Sequence, residues 1–103
     1  FYPSVMYDLG QDWVDWCRSD LLDAVYPMNY NYSDLMVGRY TRVHADLLAD
    51  SATLLCEGLR ANPPNGALQQ LGRAALDHGA DGLIFFSAPN LIKHENDVLA
   101  PFL

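Results

Sequence analysis

The sequence is poor in cysteine, in basic residues and in long apolar runs. Its only cysteines are Cys17 and Cys56. One pair is too few for a disulfide framework, and its spacing fits no zinc site. Both thiols read as small buried fillers of the core. Six Lys and Arg stand against 13 Asp and Glu, a formal net charge of -7. A chain this acidic offers no basic footprint to nucleic acid or to an anionic membrane. No apolar run approaches the roughly 20 residues that span a bilayer. His44, His78 and His94 are scattered, with no HxH or HExxH spacing, so no metal site is expected. GxGxxG and GxxxxGKS are missing, which removes dinucleotide and P-loop readings, and no cofactor is expected. No Gly-x-Ser-x-Gly elbow supports an α/β-hydrolase.

What is present suits a packed core. Half of the 103 residues are apolar, enough for one domain or a piece of a larger one. The first residue is Phe1 rather than Met, and the chain is expected to begin inside a larger protein. Short apolar runs alternate with amphipathic stretches. Phe1 to Val5 reads as the end of a strand, with Pro3 at its edge. Gln11 to Ser19 reads as a helix with Trp13, Trp16 and Cys17 on one face. Leu21 to Met28 reads as a buried strand stopped by Pro27. Ser33 is a natural N-cap for a helix from Asp34 to about Leu48, with Met36, Tyr40, Val43 and Leu47 as its apolar stripe. Thr53 to Cys56 is the next apolar run, and Arg60 to Gly66 a turn-rich loop. A helix from about Ala67 to His78 has Leu68, Leu71 and Ala75 inward and Gly79 as its stop. Asp81 to Ser87 is the clearest strand, and Asn96 to Leu103 a short last helix.

This β-α-β-α-β-α-β-α order, with near-continuous apolar strands, predicts a parallel sheet covered by helices. No internal boundary divides residues 1–103. Four βα units amount to half of a (β/α)₈ barrel, a TIM-type α/β half-barrel. Such a half leaves strand edges and a sheet face open. It therefore calls for the rest of its barrel or a second copy of the chain, unless the fold is a small doubly wound domain.

In parallel α/β folds the working groups stand at the carboxyl ends of strands. Asn29, Tyr30 and Tyr32 fall at one such end. Amides and aromatic hydroxyls suit a sugar, with its hydroxyls and apolar C–H faces. Glu57 is a lone carboxylate read at the end of an apolar run, a residue type fit for acid, base or nucleophile work. Gly58 beside it permits close approach. The competing reading of Glu57 is a strand-end carboxylate paired with Arg60 or Arg39. Asn62 lies in the loop after this run, and Ser87 at the mouth of the last strand. His44 and His78 read as structural, on the side away from the strand ends.

Three segments carry a resemblance. They are Gly10-Gln11-Asp12-Trp13-Val14-Asp15-Trp16, then Leu22-Asp23-Ala24-Val25-Tyr26-Pro27-Met28-Asn29-Tyr30, and Gly79-Ala80-Asp81-Gly82-Leu83-Ile84-Phe85-Phe86-Ser87. In order and spacing they resemble the glycosyl-hydrolase-like family 10 domain, a bacterial (β/α)₈ barrel some of whose members act on peptidoglycan glycan strands. The resemblance covers nearly the whole chain and would make it strands five to eight. It implies a periplasmic or extracellular setting and a glycan substrate. It makes Asn29 and Tyr30 groove residues at the end of strand six, sets Glu57 at the end of strand seven and Ser87 at the mouth of strand eight. The family's acidic cluster, an Asp-Asp-Tyr type motif, belongs to an earlier strand and is absent from this sequence.

The function expected on these grounds is part of a glycoside hydrolase working by general acid–base chemistry. Glu57 would be its one catalytic candidate, with Asn29, Tyr30, Tyr32, Asn62 and Ser87 in the substrate groove. A non-catalytic carbohydrate-binding barrel is the alternative. A phosphate-binding barrel enzyme is less favoured, because Pro89 removes a backbone donor that phosphate would use. Trp13→Ala should cost about 3–5 kcal/mol, as for a buried aromatic, read as a shift of the urea midpoint.

Overall fold

The computed structural model describes residues 2–61, 68–87 and 89. Two helices open it, α1 (Tyr2–Leu9) and α2 (Trp13–Arg18), followed by β1 (Ala24–Val25), α3 (Asp34–Leu47), β2 (Leu54–Arg60), α4 (Leu68–Asp77) and β3 (Gly82–Phe86). The three strands form one parallel sheet in the order β1-β2-β3. Parallel neighbours need crossovers, and α3 and α4 provide them. The α/β class and the parallel sheet agree with the sequence pattern.

The chain start does not. Residues 2–5, expected within the end of a strand, belong to α1. Proline in a first helical turn loses only an N–H that has no partner there, and its fixed φ suits the helix. Pro3 therefore starts a helix and does not mark a strand edge. Gly10, at φ +68°, ends it and donates its N–H to Met6 O at 3.0 Å. The described residues thus hold three strands where the pattern predicted four. The expected helix over Asn96 to Leu103 and the loop from Asn62 to Gly66 lie outside the described residues.

Asp12 caps α2, accepting from the Asp15 N–H at 3.3 Å. Val14 and Cys17 are the buried residues of α2, while Trp16 is turned out. Ser33 caps α3 as expected, accepting from the Met36 N–H. The stripe that α3 buries is Val37, Thr41, His44 and Leu48. It has the same spacing as the predicted Met36 stripe, shifted by one residue. The predicted stripe lies beside it, half-buried.

β1 carries its pairing past its formal end. Leu54 N–H donates to Asp23 O, Gly58 N–H to Pro27 O and Asn29 N–H to Gly58 O, at 2.8–2.9 Å. Pro27, which lacks an N–H, thins the ladder without ending it. β2 is longer than expected and runs on to Arg60, in register with Phe86. Its start is fastened by Asp81, whose Oδ2 accepts from the Leu55 N–H at 2.9 Å and whose N–H donates to Leu55 O at 2.7 Å.

Side chains alternate along β2. Leu55, Glu57 and Leu59 face the helices. Leu59 packs with Val37, Leu71 and Ala75, joined by Leu83 and Phe85 of β3. Leu55 packs with Cys17 and Leu48, joined by Trp13, Leu22 and Val25. The opposite face carries Tyr26, Met28, Leu54, Ile84 and Phe86, all exposed, Met28 by 77% and Phe86 by 68%. Helices therefore cover one face of the sheet among the described residues. No helix of the described residues is long and apolar enough to cross a membrane.

Gly79 ends α4 at φ +115°, and a Cβ built there would meet the Ala45 Cβ at 2.9 Å. Both the backbone conformation and the contact with α3 require glycine. Gly79→Ala should cost at least about 1–2 kcal/mol, measured as a loss of unfolding free energy in urea.

Candidate functional site

Two groups of polar and aromatic side chains stand on the sheet, one on each face. The first lies at the carboxyl ends of the strands on the uncovered face. There Tyr30 stacks on Phe86, with ring centroids 6.3 Å apart and planes at 28°. The Arg60 guanidinium sits over the Tyr32 ring, 4.5 Å from its centroid. The β2–β3 register places Arg60 beside Phe86, so the two pairs share one rim. Ser87 follows Phe86 across a cis peptide bond and is half-buried. Flat rings and a planar cation in a row provide stacking surfaces with hydrogen-bond donors beside them.

Asn29 is held differently from Tyr30 and Tyr32. It is 3% exposed. Its Nδ2 donates to Val37 O at 3.1 Å and to Thr41 Oγ1 at 3.4 Å, and its Oδ1 accepts from Asn31 Nδ2 at 2.6 Å. The Asn29 amide thus ties the exit of β1 to α3, leaving Asn31 nearer the surface. Asn62 lies outside the described residues.

The second group is on the helix side. Glu57 is in mid-strand, fully buried and directed at α3. This corrects its expected place at a strand end. Arg60 and Arg39 are not its partners. His44 is, with Nδ1 2.6 Å from Glu57 Oε1. Glu57 Oε2 is buried with no hydrogen-bond partner. With Glu57 ionised, Nδ1 carries the proton and donates, which fixes the tautomer and leaves Nε2 as the free ring nitrogen. Trp13 meets the imidazole edge to face, centroids 5.8 Å apart. A buried pair of this kind recovers its desolvation cost only with good geometry and with its remaining lone pairs satisfied; the short contact meets the first condition and the unpartnered Oε2 leaves the second unmet.

His44 also borders a cleft of about 520 Å³ at the exit of β1. Trp13, Tyr40, Asn29 and Tyr30 line it too, with Gln11 at its α1–α2 side. No Asp, Glu, Lys or Arg lines it among the described residues. A shallower hollow of about 600 Å³ between α3 and α4 is lined by Asp34, Gln69, Arg73 and His78. None of its lining residues belongs to either group. No cluster of three or more metal-ligating side chains occurs among the described residues.

Sequence reasoning grouped Asn29, Tyr30, Tyr32, Glu57 and Ser87 at one mouth. The structure brings Tyr30 and Tyr32 to a common rim, turns the Asn29 amide inward, and sets Glu57 on the other face. It adds Phe86, which the pattern did not single out, Arg60, which it offered only as a partner for Glu57, and His44, which it read as remote from the strand ends. A signal for His44 was present. Val37, Thr41, His44 and Leu48 form a second stripe at i, i+4, i+7 and i+11, beside the one chosen.

Comparison with protein families, with curated proteins and with solved structures finds no match to this chain.

Both cysteines are free. Burial pushes the Cys17 thiol up, partly offset by a hydrogen bond with Thr53. Burial also pushes the Cys56 thiol up, and the nearby Asp81 carboxylate adds to it. The folded chain therefore holds these protons more tightly than the unfolded chain does. The stability this contributes is complete below the free thiol pKa of about 8.5 and declines as pH rises above it. Iodoacetamide at pH 8 should label both residues more slowly than a free cysteine, Cys17 more slowly than Cys56, as followed by mass spectrometry.

Proposed function

We propose that the chain is half of a glycoside-hydrolase-like (β/α)₈ barrel and that its strand-end rim binds a glycan. The observation that carries this reading is the pairing of Tyr30 with Phe86 and of Tyr32 with Arg60 at the carboxyl ends of a parallel sheet. Ligands of parallel α/β folds bind at that end, and aromatic faces suit the apolar C–H faces of sugar rings. Helices on one face and apolar side chains such as Leu54 and Ile84 on the other suit a strand set whose open face lines a barrel interior. The remaining strands would come from an upstream half of the same barrel or from a second copy of the chain.

In this reading Tyr30, Tyr32, Arg60 and Phe86 form the groove wall and Ser87 adds a hydroxyl beside it. Asn29 serves the groove from behind by holding the β1 exit on α3. Hydrolysis of a glycosidic bond normally needs two carboxylates flanking it. Glu57 faces α3, so acids acting at the rim would come from the other half. The same fact favours a second reading, a barrel that binds glycan without cleaving it. Acidic residues at the end of an upstream strand would distinguish the enzyme from the binder.

Tyr30→Ala should weaken binding of soluble oligosaccharides by about tenfold, the order of one stacking contact, and leave the protein folded. Calorimetric titration of chitotriose and cellotriose into both proteins tests this. Equal affinity, or no binding by the wild-type chain in its complete barrel, would overturn the rim assignment.

A further inference from the structure

We infer that the cleft beside β1 is a sugar-binding subsite in which His44 contacts the ligand and Glu57 acts as its positioning residue. This rests on the glycan reading above and adds a site on the other side of the β1 exit. Three observations converge on it. The cleft of about 520 Å³ is large enough for a sugar ring, within the volume range of small-molecule sites. Its lining joins aromatic and amide side chains to the apolar Val5, Val25, Pro27 and Met28, with His44 the only imidazole and no charged carboxylate or cation among the described residues. Such a lining selects an uncharged, hydroxyl-rich ligand over a phosphate or a carboxylate.

The third observation is the pair behind the wall. Glu57 is itself absent from the cleft surface, fully buried, and reaches His44 at 2.6 Å. It engages Nδ1, and the His44 ring makes no other hydrogen bond among the described residues. Nε2 is then the ring nitrogen left for a ligand hydroxyl. Trp13 packs against the ring and holds its plane. A carboxylate that orients an imidazole through one nitrogen so that the other meets a ligand is a general arrangement in protein sites. Tyr30 belongs both to this cleft and to the Phe86 stack, so a glycan lying on the rim can extend one ring into the cleft.

The groups that face His44 are few. Glu57 approaches from β2, the Trp13 ring from α2, and Tyr40 lines the same cleft from α3. Tyr26 and Tyr30 border the cleft from the β1 exit. An effect seen at the His44 nitrogens on ligand addition would therefore report this cleft.

The experiment is a titration of chitotriose and cellotriose into the complete barrel, watched through the imidazole nitrogens by long-range ¹H–¹⁵N spectra. The free protein should show His44 as a single tautomer protonated on Nδ1. Saturation should move the His44 Nε2 resonance and leave His78 unmoved. Glu57→Gln should mix the tautomers and weaken binding by about two- to tenfold, the order of one hydrogen bond. His44→Gln is the second variant and should lose a similar factor. Binding that shifts Tyr30 and Phe86 while His44 stays silent would overturn this subsite and leave the rim reading standing. A Glu57→Gln protein with unchanged tautomer and affinity would overturn the positioning role. No binding of either oligosaccharide would overturn both the subsite and the glycan reading.

Discussion

A carboxylate with no route to water must find a partner, and in this fold Glu57 finds one residue, His44. It stands on β2 between Leu55 and Leu59, whose side chains belong to two separate apolar clusters. The polar contact therefore falls in the seam between them. Sliding α3 along β2 by one turn would separate His44 from Glu57 and leave a buried carboxyl group without a partner, which is more costly than a lost apolar contact. The register of α3 on the sheet is thereby restricted at one point, and Val37, Thr41 and Leu48 take their places on the same stripe. Asn29 repeats the device at the other end, fastening the β1 exit to Val37 and Thr41.

The two faces of the sheet consequently differ in character. The helix-covered face is packed, and it holds Asn29, Thr41, His44 and one oxygen of Glu57 in hydrogen bonds. The uncovered face presents Met28, Leu54, Ile84 and Phe86 to the surface, an apolar strip that isolated soluble domains rarely leave open. The proposed barrel gives that strip an interior to line. It also explains why aromatic and cationic groups gather at one end of the strip, where parallel strands deliver their loops.

The expectations that held rest on local chemistry. Ser33 is a cap because its oxygen meets an N–H within the next turn, and Gly79 ends α4 because its own φ requires it. The parallel sheet follows from the apolar runs between amphipathic stretches. The expectations that failed needed information from farther along the chain. Pro3 suits both a strand edge and a first helical turn, and nothing within Phe1 to Val5 decides between them. The α3 stripe was legible as a pair of adjacent candidates, and only docking against β2 selected the one containing His44.

The sequence by itself determined the α/β class, the parallel pairing, the caps, and the presence of aromatic and amide residues at the exit of β1. These depend on periodicity and on contacts within a few residues. Tertiary structure alone decided that Glu57 points into the helix layer, that its partner lies 13 residues earlier, and that Tyr30 meets Phe86 while Tyr32 meets Arg60. The strand periodicity of two fixes only that alternate residues share a face. Which face the helices cover, and which side chains then meet across it, is set by the register of strands and helices packed together.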